Sequence, residues 1–272
     1  MTGRNAGTLT LGPLLFNWPA DSIRTFYARI AQEAPIDCVH LGEVVCAKRA
    51  PLLAAALADA ASMLLEAGKE VVQSTLALVV DEKDMAALSA AAEDDCLLAE
   101  ANDPAALALL SGRPHAVGPY VNVYNEGTLD CLVGNGAVRV CLPPELHREA
   151  IGALSRASSV PLEVQVFGRL PLAISARCYH ARAHGLTKDG CRYVCGEDPD
   201  GMPVKTLAGE PFLAVNGVQT LSHSYCCLIR ELHELRAMGI ARFRLSPQAT
   251  DMVAVARLFR AALDDPERTD AA

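Results

Sequence analysis

Long apolar runs are missing from this chain. No stretch reaches the roughly 18 consecutive apolar residues of a transmembrane helix, so a membrane-spanning helix is not expected. Aromatic residues make up only 5% of the 272 residues, leaving Ala, Leu and Val to fill the interior. Positive charge is also in deficit. The 24 Lys and Arg stand against 32 Asp and Glu, for a formal charge of −8 and a pI near 5.4. That balance argues against a protein that binds nucleic acid through its bulk charge, and it leaves room for a local basic pocket. Several catalytic signatures are absent as well: H-E-x-x-H, a persuasive Ser–His–Asp constellation, a carboxylate dyad, and a Gly-rich nucleotide loop after the first β-rich run. There is no internal repeat and no low-complexity linker. The start, MTGRNAGTLTLGPLLFNWPAD, has an arginine followed by an apolar run, as a signal peptide would. Gly12 and Pro13 interrupt that run and no small-residue cleavage site follows, so it reads as a first strand of a cytoplasmic protein.

What is present is alternation. Eight β-rich runs fall at 8–16, 36–43, 70–78, 95–102, 115–125, 137–145, 162–170 and 241–247, with Ala/Leu-rich segments between them. The segment at 21–34 places Ile23, Phe26, Tyr27 and Ile30 on one helical face, with Asp21 as the expected N-cap. The helix over 52–70 ends at Gly68, a C-cap signal. The segment at 221–239 reads as a helix before the last strand. Eight strand–helix alternations in a chain of this length predict an α/β fold of the (β/α)8 TIM-like barrel type, which takes about 250 residues; a doubly wound open sheet is the runner-up. The expected organisation is a single barrel domain over 1–264, a long insertion at 171–220 after strand seven, and a flexible tail at 265–272. In such a barrel the insertion would rise from the C-terminal face, where these folds keep their sites.

Ten cysteines is a high count for a chain too long and too apolar to be a disulfide scaffold. The stretch ARCYHARAHGLTKDGCRYVC (176–195) holds Cys178, Cys191 and Cys195, with His180 and His184 between them. Three thiols in a polar loop are poor core candidates and can converge on a metal. Cys38 and Cys96 lie near strand starts, Cys141 lies within strand six, and Cys131, Cys226 and Cys227 fall in helical patterns, where a small buried thiol is the plain explanation. Cys46 lies just past the end of strand two, on the barrel face that carries the insertion, so topology favours it as a fourth ligand. A site of three cysteines completed by His180 or His184 is the competitor and would suit zinc. Spacing does not separate zinc from iron–sulfur chemistry. Lys48, Arg49, Arg177, Arg182, Lys188 and Arg192 flank these residues and could offset thiolate charge or attract an anionic substrate. Glu43, Asn122, Asn125, Glu145 and Arg169 are polar residues at strand ends that could line a pocket. Glu43, Arg49 and Arg177 are the candidates for catalytic or substrate-holding roles.

The segments LGPLLFNWP (11–19), LGEVVCAKR (41–49), QSTLAL (73–78), LPPEL (142–146), GRLPLAISARC (168–178), NGVQTLS (216–222) and RLSPQATD (244–251) occur in an order that resembles the collagenase-like peptidase family of unassigned catalytic type. Within that family they resemble the branch serving oxygen-independent ubiquinone biosynthesis. The resemblance implies a 4Fe–4S cluster held by Cys46, Cys178, Cys191 and Cys195. It also implies a heterodimer with a UbiU-like protein and cooperation with a UbiT-like lipid carrier. The implied reaction is ring hydroxylation of ubiquinone precursors, with prephenate as oxygen donor. The rival classes are a prephenate-dependent tRNA hydroxylase relative, which would need a basic RNA surface, and a zinc-stabilised interaction protein without catalytic activity.

Overall fold

The structure, a computed structural model, describes residues 7–265. Its strands are β1 (Thr8–Leu11), β2 (Cys38–Leu41), β3 (Glu70–Ser74), β4 (Leu98–Ala101), β5 (His115–Val117), β6 (Ala137–Cys141), β7 (Leu162–Ile174), β8 (Met202–Lys205), β9 (Pro211–Asn216), β10 (Gln219–Cys227) and β11 (Arg242–Leu245). Strands β1 to β7 follow one another in the sheet, all parallel. β11 then pairs in parallel with both β7 and β1, which closes an eight-stranded TIM-like barrel. Each of the expected β-rich runs holds one of these strands. All are shorter than expected except β7, which is longer.

The helices are α1 (Ala20–Glu33), α2 (Ala50–Glu66), α3 (Glu82–Glu93), α4 (Pro104–Leu109), α5 (Glu126–Gly134), α6 (Arg148–Ala157), α7 (Tyr179–Ala183), α8 (Leu232–Ala237) and α9 (Met252–Asp264). α1 buries Ile23, Tyr27 and Ile30 on the expected face. Its N-cap is Pro19 rather than Asp21. Asp21 lies inside the first turn, where its charge suits the helix dipole, and it accepts from Arg24. α2 ends as its sequence predicts. Gly68 takes φ +74°, its N–H donates to Leu65 O, and Lys69 N–H donates to Leu64 O, which together make a Schellman cap. The apolar core fills the layer between strands and helices, with Leu9, Leu11, Val39, Leu41, Val71, Val140, Val164, Val166, Phe243 and Leu245 on the sheet side. The expected tail at 265–272 lies, from residue 266, outside the described residues.

The insertion is built on β7. Its first half pairs with β6 and β11. At Gly168, with φ +107°, it leaves the barrel, and its second half pairs antiparallel with β10. β10 pairs with β9 and β9 with β8, so the excursion is an antiparallel sheet continuous with the barrel wall. The helix expected over 221–239 is therefore a correction. β10 runs to Cys227 and helix α8 begins only at Leu232. Cys226 and Cys227 accordingly sit on a strand, opposite Gly168 and Phe167. The Asn216–Gly217 step makes the hairpin. Gly217 takes φ +61° at the first position of a two-residue turn between paired Asn216 and Gln219, and this local signal outweighs the helical spacing downstream.

Candidate functional site

The chain after β2 turns back at Gly42 and runs through Glu43 to Cys46, which precedes a single 3-10 turn at Ala47–Arg49. Glu43 organises that segment. Its Oε1 accepts from Val45 N–H at 2.7 Å, from Cys46 N–H at 2.9 Å and from Arg49 Nη2 at 2.7 Å. Arg49 is 1% exposed, and it also donates to Leu15 O at 3.1 Å. Two candidates for substrate contact are thus committed elsewhere: Glu43 holds the backbone of Cys46, and Arg49 is sealed behind it.

The other arm comes from the excursion. Cys178 is the N-cap of α7, and its sulfur accepts from Ala181 N–H. Between Cys191 and Cys195 the backbone turns through two left-handed residues, Arg192 at φ 51° and Tyr193 at φ 56°. A left-handed non-glycine residue costs roughly 1–2 kcal/mol, so this turn is held by its surroundings. Asn17 donates to Cys195 Sγ, and Lys48 Nζ donates to the carbonyls of Lys188 and Asp189, fastening the loop to the Cys46 arm.

These elements bring Cys46, Cys178, Cys191 and Cys195 to one small pocket, which Lys48, Arg49, Lys188 and Gly217 also line. Cys178 and Cys195 are buried, Cys46 and Cys191 half-buried. Burial pushes the Cys46 and Cys195 thiols up, and the Arg49 guanidinium beside them pulls both back. The other six cysteines lie outside that pocket. His180 and His184 do not enter it. The Nε2 atom of His180 faces Asp198 at 3.0 Å, and its ring stacks on His184. Among the described residues, the metal-capable groups whose ligand atoms lie within 4.8 Å of one another are His180–His184–Asp198 and His40–Glu100–Glu163. No three of the four thiols are that close. A tetrahedral zinc site with bonds of 2.3 Å would hold its sulfurs about 3.8 Å apart. The thiol arrangement is wider than that.

Arg177 remains exposed. With Arg182, Lys188 and Cys178 it lines an open cleft of about 460 Å³ next to the thiols. None of these three cations has a carboxylate partner among the described residues. Asn122 and Glu145 line a second cleft of about 340 Å³ at the barrel mouth, with Tyr120, Tyr124 and the Pro171–Ile174 stretch. Asn125 instead caps α5, and Arg169 is tied to Asp200 and to the carbonyls of Ser222 and His223.

Sequence reasoning missed the barrel lumen. Arg244 on β11 donates to Glu100 on β4 at 2.5 Å and to Glu163 on β7 at 2.6 Å, and His40 on β2 faces Glu100 at 3.1 Å. All four are buried. Burial alone would raise both carboxyls, but Arg244 and then His40 outweigh it. Glu163 is held down at about 2 and Glu100 well below the ordinary carboxylate range. The signal was present in the strands. Thr8-Leu-Thr-Leu, Cys38-Val-His-Leu, Leu162-Glu-Val-Gln-Val and Arg242-Phe-Arg-Leu alternate, whereas strands apolar on both faces would read as unbroken apolar runs.

A closed parallel barrel with a thiol-lined pocket at its C-terminal face defines the class: a TIM-barrel protein with a cysteine site beside the barrel mouth. The chain belongs to peptidase family U32, whose family model matches residues 24–271. Among solved structures it is similar to a truncated 3-deoxy-D-arabino-heptulosonate 7-phosphate synthase from Thermotoga maritima, at 10% identity and TM-score 0.48 over 98% of this chain and 88% of that one. It is also similar to dihydropteroate synthase from Thermus thermophilus, at 14% identity and TM-score 0.43 over 95% and 91% of the two chains.

Proposed function

We propose that the chain is a UbiV-type iron–sulfur subunit. In this reading it acts in the cytoplasm with a UbiU-like partner and a UbiT-like lipid carrier to hydroxylate ubiquinone precursors without oxygen, taking the oxygen atom from prephenate. The observation that carries the reading is the meeting of four thiols from two distant segments at one pocket, spaced more widely than a single zinc ion requires. Cys46, Cys178, Cys191 and Cys195 would hold a 4Fe–4S cluster, and their donor set fits one: soft thiolates, N–H donors on two of the sulfurs, and buried Arg49 to offset their charge. When bound, a cluster with all four irons ligated by protein supplies electron transfer rather than a substrate-binding iron.

The residues of the chain divide the remaining work. Glu43 and Arg49 fix the Cys46 arm. Arg177, Arg182 and Lys188 offer charge-assisted hydrogen bonds to a dicarboxylate oxygen donor in the cleft beside Cys178. The barrel-mouth cleft sets Tyr120, Tyr124 and Leu172 beside the polar groups of Asn122 and Glu145, and suits the oxygen-bearing ring of a lipid precursor.

The test is strictly anaerobic purification followed by iron, sulfide and zinc analysis. About four iron and four sulfide per chain are expected, with loss in each of the four Cys→Ala variants. Zinc without sulfide would establish the zinc-stabilised rival, and full cluster occupancy in Cys46→Ala would remove Cys46 from the ligand set.

A further inference from the structure

The insertion carries a second group of ligating side chains, outside the lining of the thiol pocket. His180 and His184 are spaced i, i+4, so α7 stacks their rings with centroids 5.4 Å apart and planes within 13°. Asp198 reaches them from the other segment, just past the turn Val194–Glu197 that holds Cys195.

His180 is fully buried and faces two acceptors. Its Nδ1 lies 3.3 Å from Val215 O, which fixes the ring and calls for an N–H on that nitrogen. The opposite nitrogen, Nε2, then presents a lone pair. Asp198 Oδ2 lies 3.0 Å away but out of line for a hydrogen bond, and Nε2 has no partner. A bare nitrogen and a carboxylate oxygen at this distance repel one another unless a proton or a metal cation lies between or beside them, and Nε2 has no hydrogen-bond partner to mark a shared proton. A backbone carbonyl holding one ring nitrogen while the other points at a carboxylate and a second imidazole is the arrangement that orients histidine toward a metal.

We propose that His180, His184 and Asp198 bind one divalent transition-metal ion, of the class that favours imidazole and carboxylate ligands, such as Zn²⁺ or Fe²⁺. The ligand atoms already lie within 4.8 Å of one another. Bonds of 2.0–2.1 Å need them about 3.3 Å apart, and His184, being exposed, can swing inward to close the difference. The remaining coordination position faces solvent and takes water. The ion ties α7 to the turn 194–197. Cys178 caps the first of these segments and Cys195 lies in the second, so the ion would brace the elements that carry two of the pocket thiols. The proposal does not depend on what the thiols hold.

The test is Co²⁺ titration of the anaerobically purified full chain, followed by equilibrium dialysis with metal analysis and by visible absorbance. Wild type and His184→Ala are compared, because His184 is exposed and its loss leaves the core intact. The expected result is one Co²⁺ per chain, bound without thiolate-to-cobalt charge-transfer bands and weakened more than about 10-fold in His184→Ala and in Asp198→Asn. Any Co²⁺ taken up by vacant thiols would carry those bands, so the band-free equivalent weakened in His184→Ala still isolates the histidine site. Equal stoichiometry and affinity in wild type and His184→Ala overturn the proposal, as does the absence of saturable binding.

Discussion

Arg49 is the residue on which the Cys46 arm depends. It is a buried cation whose one carboxylate partner, Glu43, also holds the backbone N–H groups of Val45 and Cys46. Removing one member of a buried pair leaves the other uncompensated and costs about 3–5 kcal/mol. Arg49→Met is expected to lose about that much in anaerobic urea unfolding. The Glu43→Gln/Arg49→Met double variant should lose less than the sum of the single losses, because the two share one interaction. Arg177 and Arg182 differ, since they are exposed and have no carboxylate partner among the described residues. Arg177→Ala/Arg182→Ala should leave unfolding and iron content unchanged while raising the concentration of dicarboxylate needed for half-maximal turnover. Unchanged turnover with the cluster intact would remove the cleft from the substrate path. Three of the thiols were legible in the sequence as residues of a polar loop, and Cys46 by its place past strand two. Arg49 was legible as a cation near the thiols, but its pairing with Glu43 was not, because burial of that turn depends on the excursion folding over it.

At the scale of elements, β7 decides the architecture around the site. It belongs to the barrel up to Gly168 and to the antiparallel excursion beyond it. A Cβ at Gly168 would stand 2.9 Å from Ser246 O, on a backbone of φ +107°. Gly168→Ala is therefore expected to cost at least about 1–3 kcal/mol, and the chain can adapt only by moving the strand or the β11 end against it. The expected readout is a lowered unfolding midpoint together with reduced iron content, since Cys178 lies beyond the pivot. An unfolding midpoint equal to wild type would show that the pivot is not strained. The barrel strands could be read because each is a short β-rich run between helices. β10 could not be read correctly, because its partners are the outer half of β7 and β9, and its own spacing of apolar residues imitates a helix.

Across the whole molecule, the lumen network links strands on opposite sides of the closed barrel. Arg244 on the closing strand β11 reaches Glu163 on β7 and Glu100 on β4, so its charges span the barrel. Glu163 is held at about 2 in the folded chain, below its ordinary value of 4.5. A carboxyl depressed by folding adds stability that is present above its unfolded pKa and lost as the pH falls through the folded one. The barrel should therefore lose stability between about pH 4.5 and 2. Glu163→Gln should be less stable at neutral pH but show a shallower loss across that window, as followed by circular dichroism. An acid limb of unchanged slope would mean that Glu163 is not ionised in the folded barrel.

The sequence by itself determined the eight strand–helix alternations, the caps that punctuate them, and the segments on which the site cysteines lie. These follow from periodicity and backbone preference over a few neighbouring residues. The tertiary structure brings Cys46, expected from its place past strand two, to Cys178, Cys191 and Cys195, and it alone decided that the lumen is charged and that His180 faces Asp198 instead of the thiols. Each of these contacts joins residues far apart in the chain. Their energies come from burial and from charges brought together by barrel closure, and local sequence pattern does not encode either.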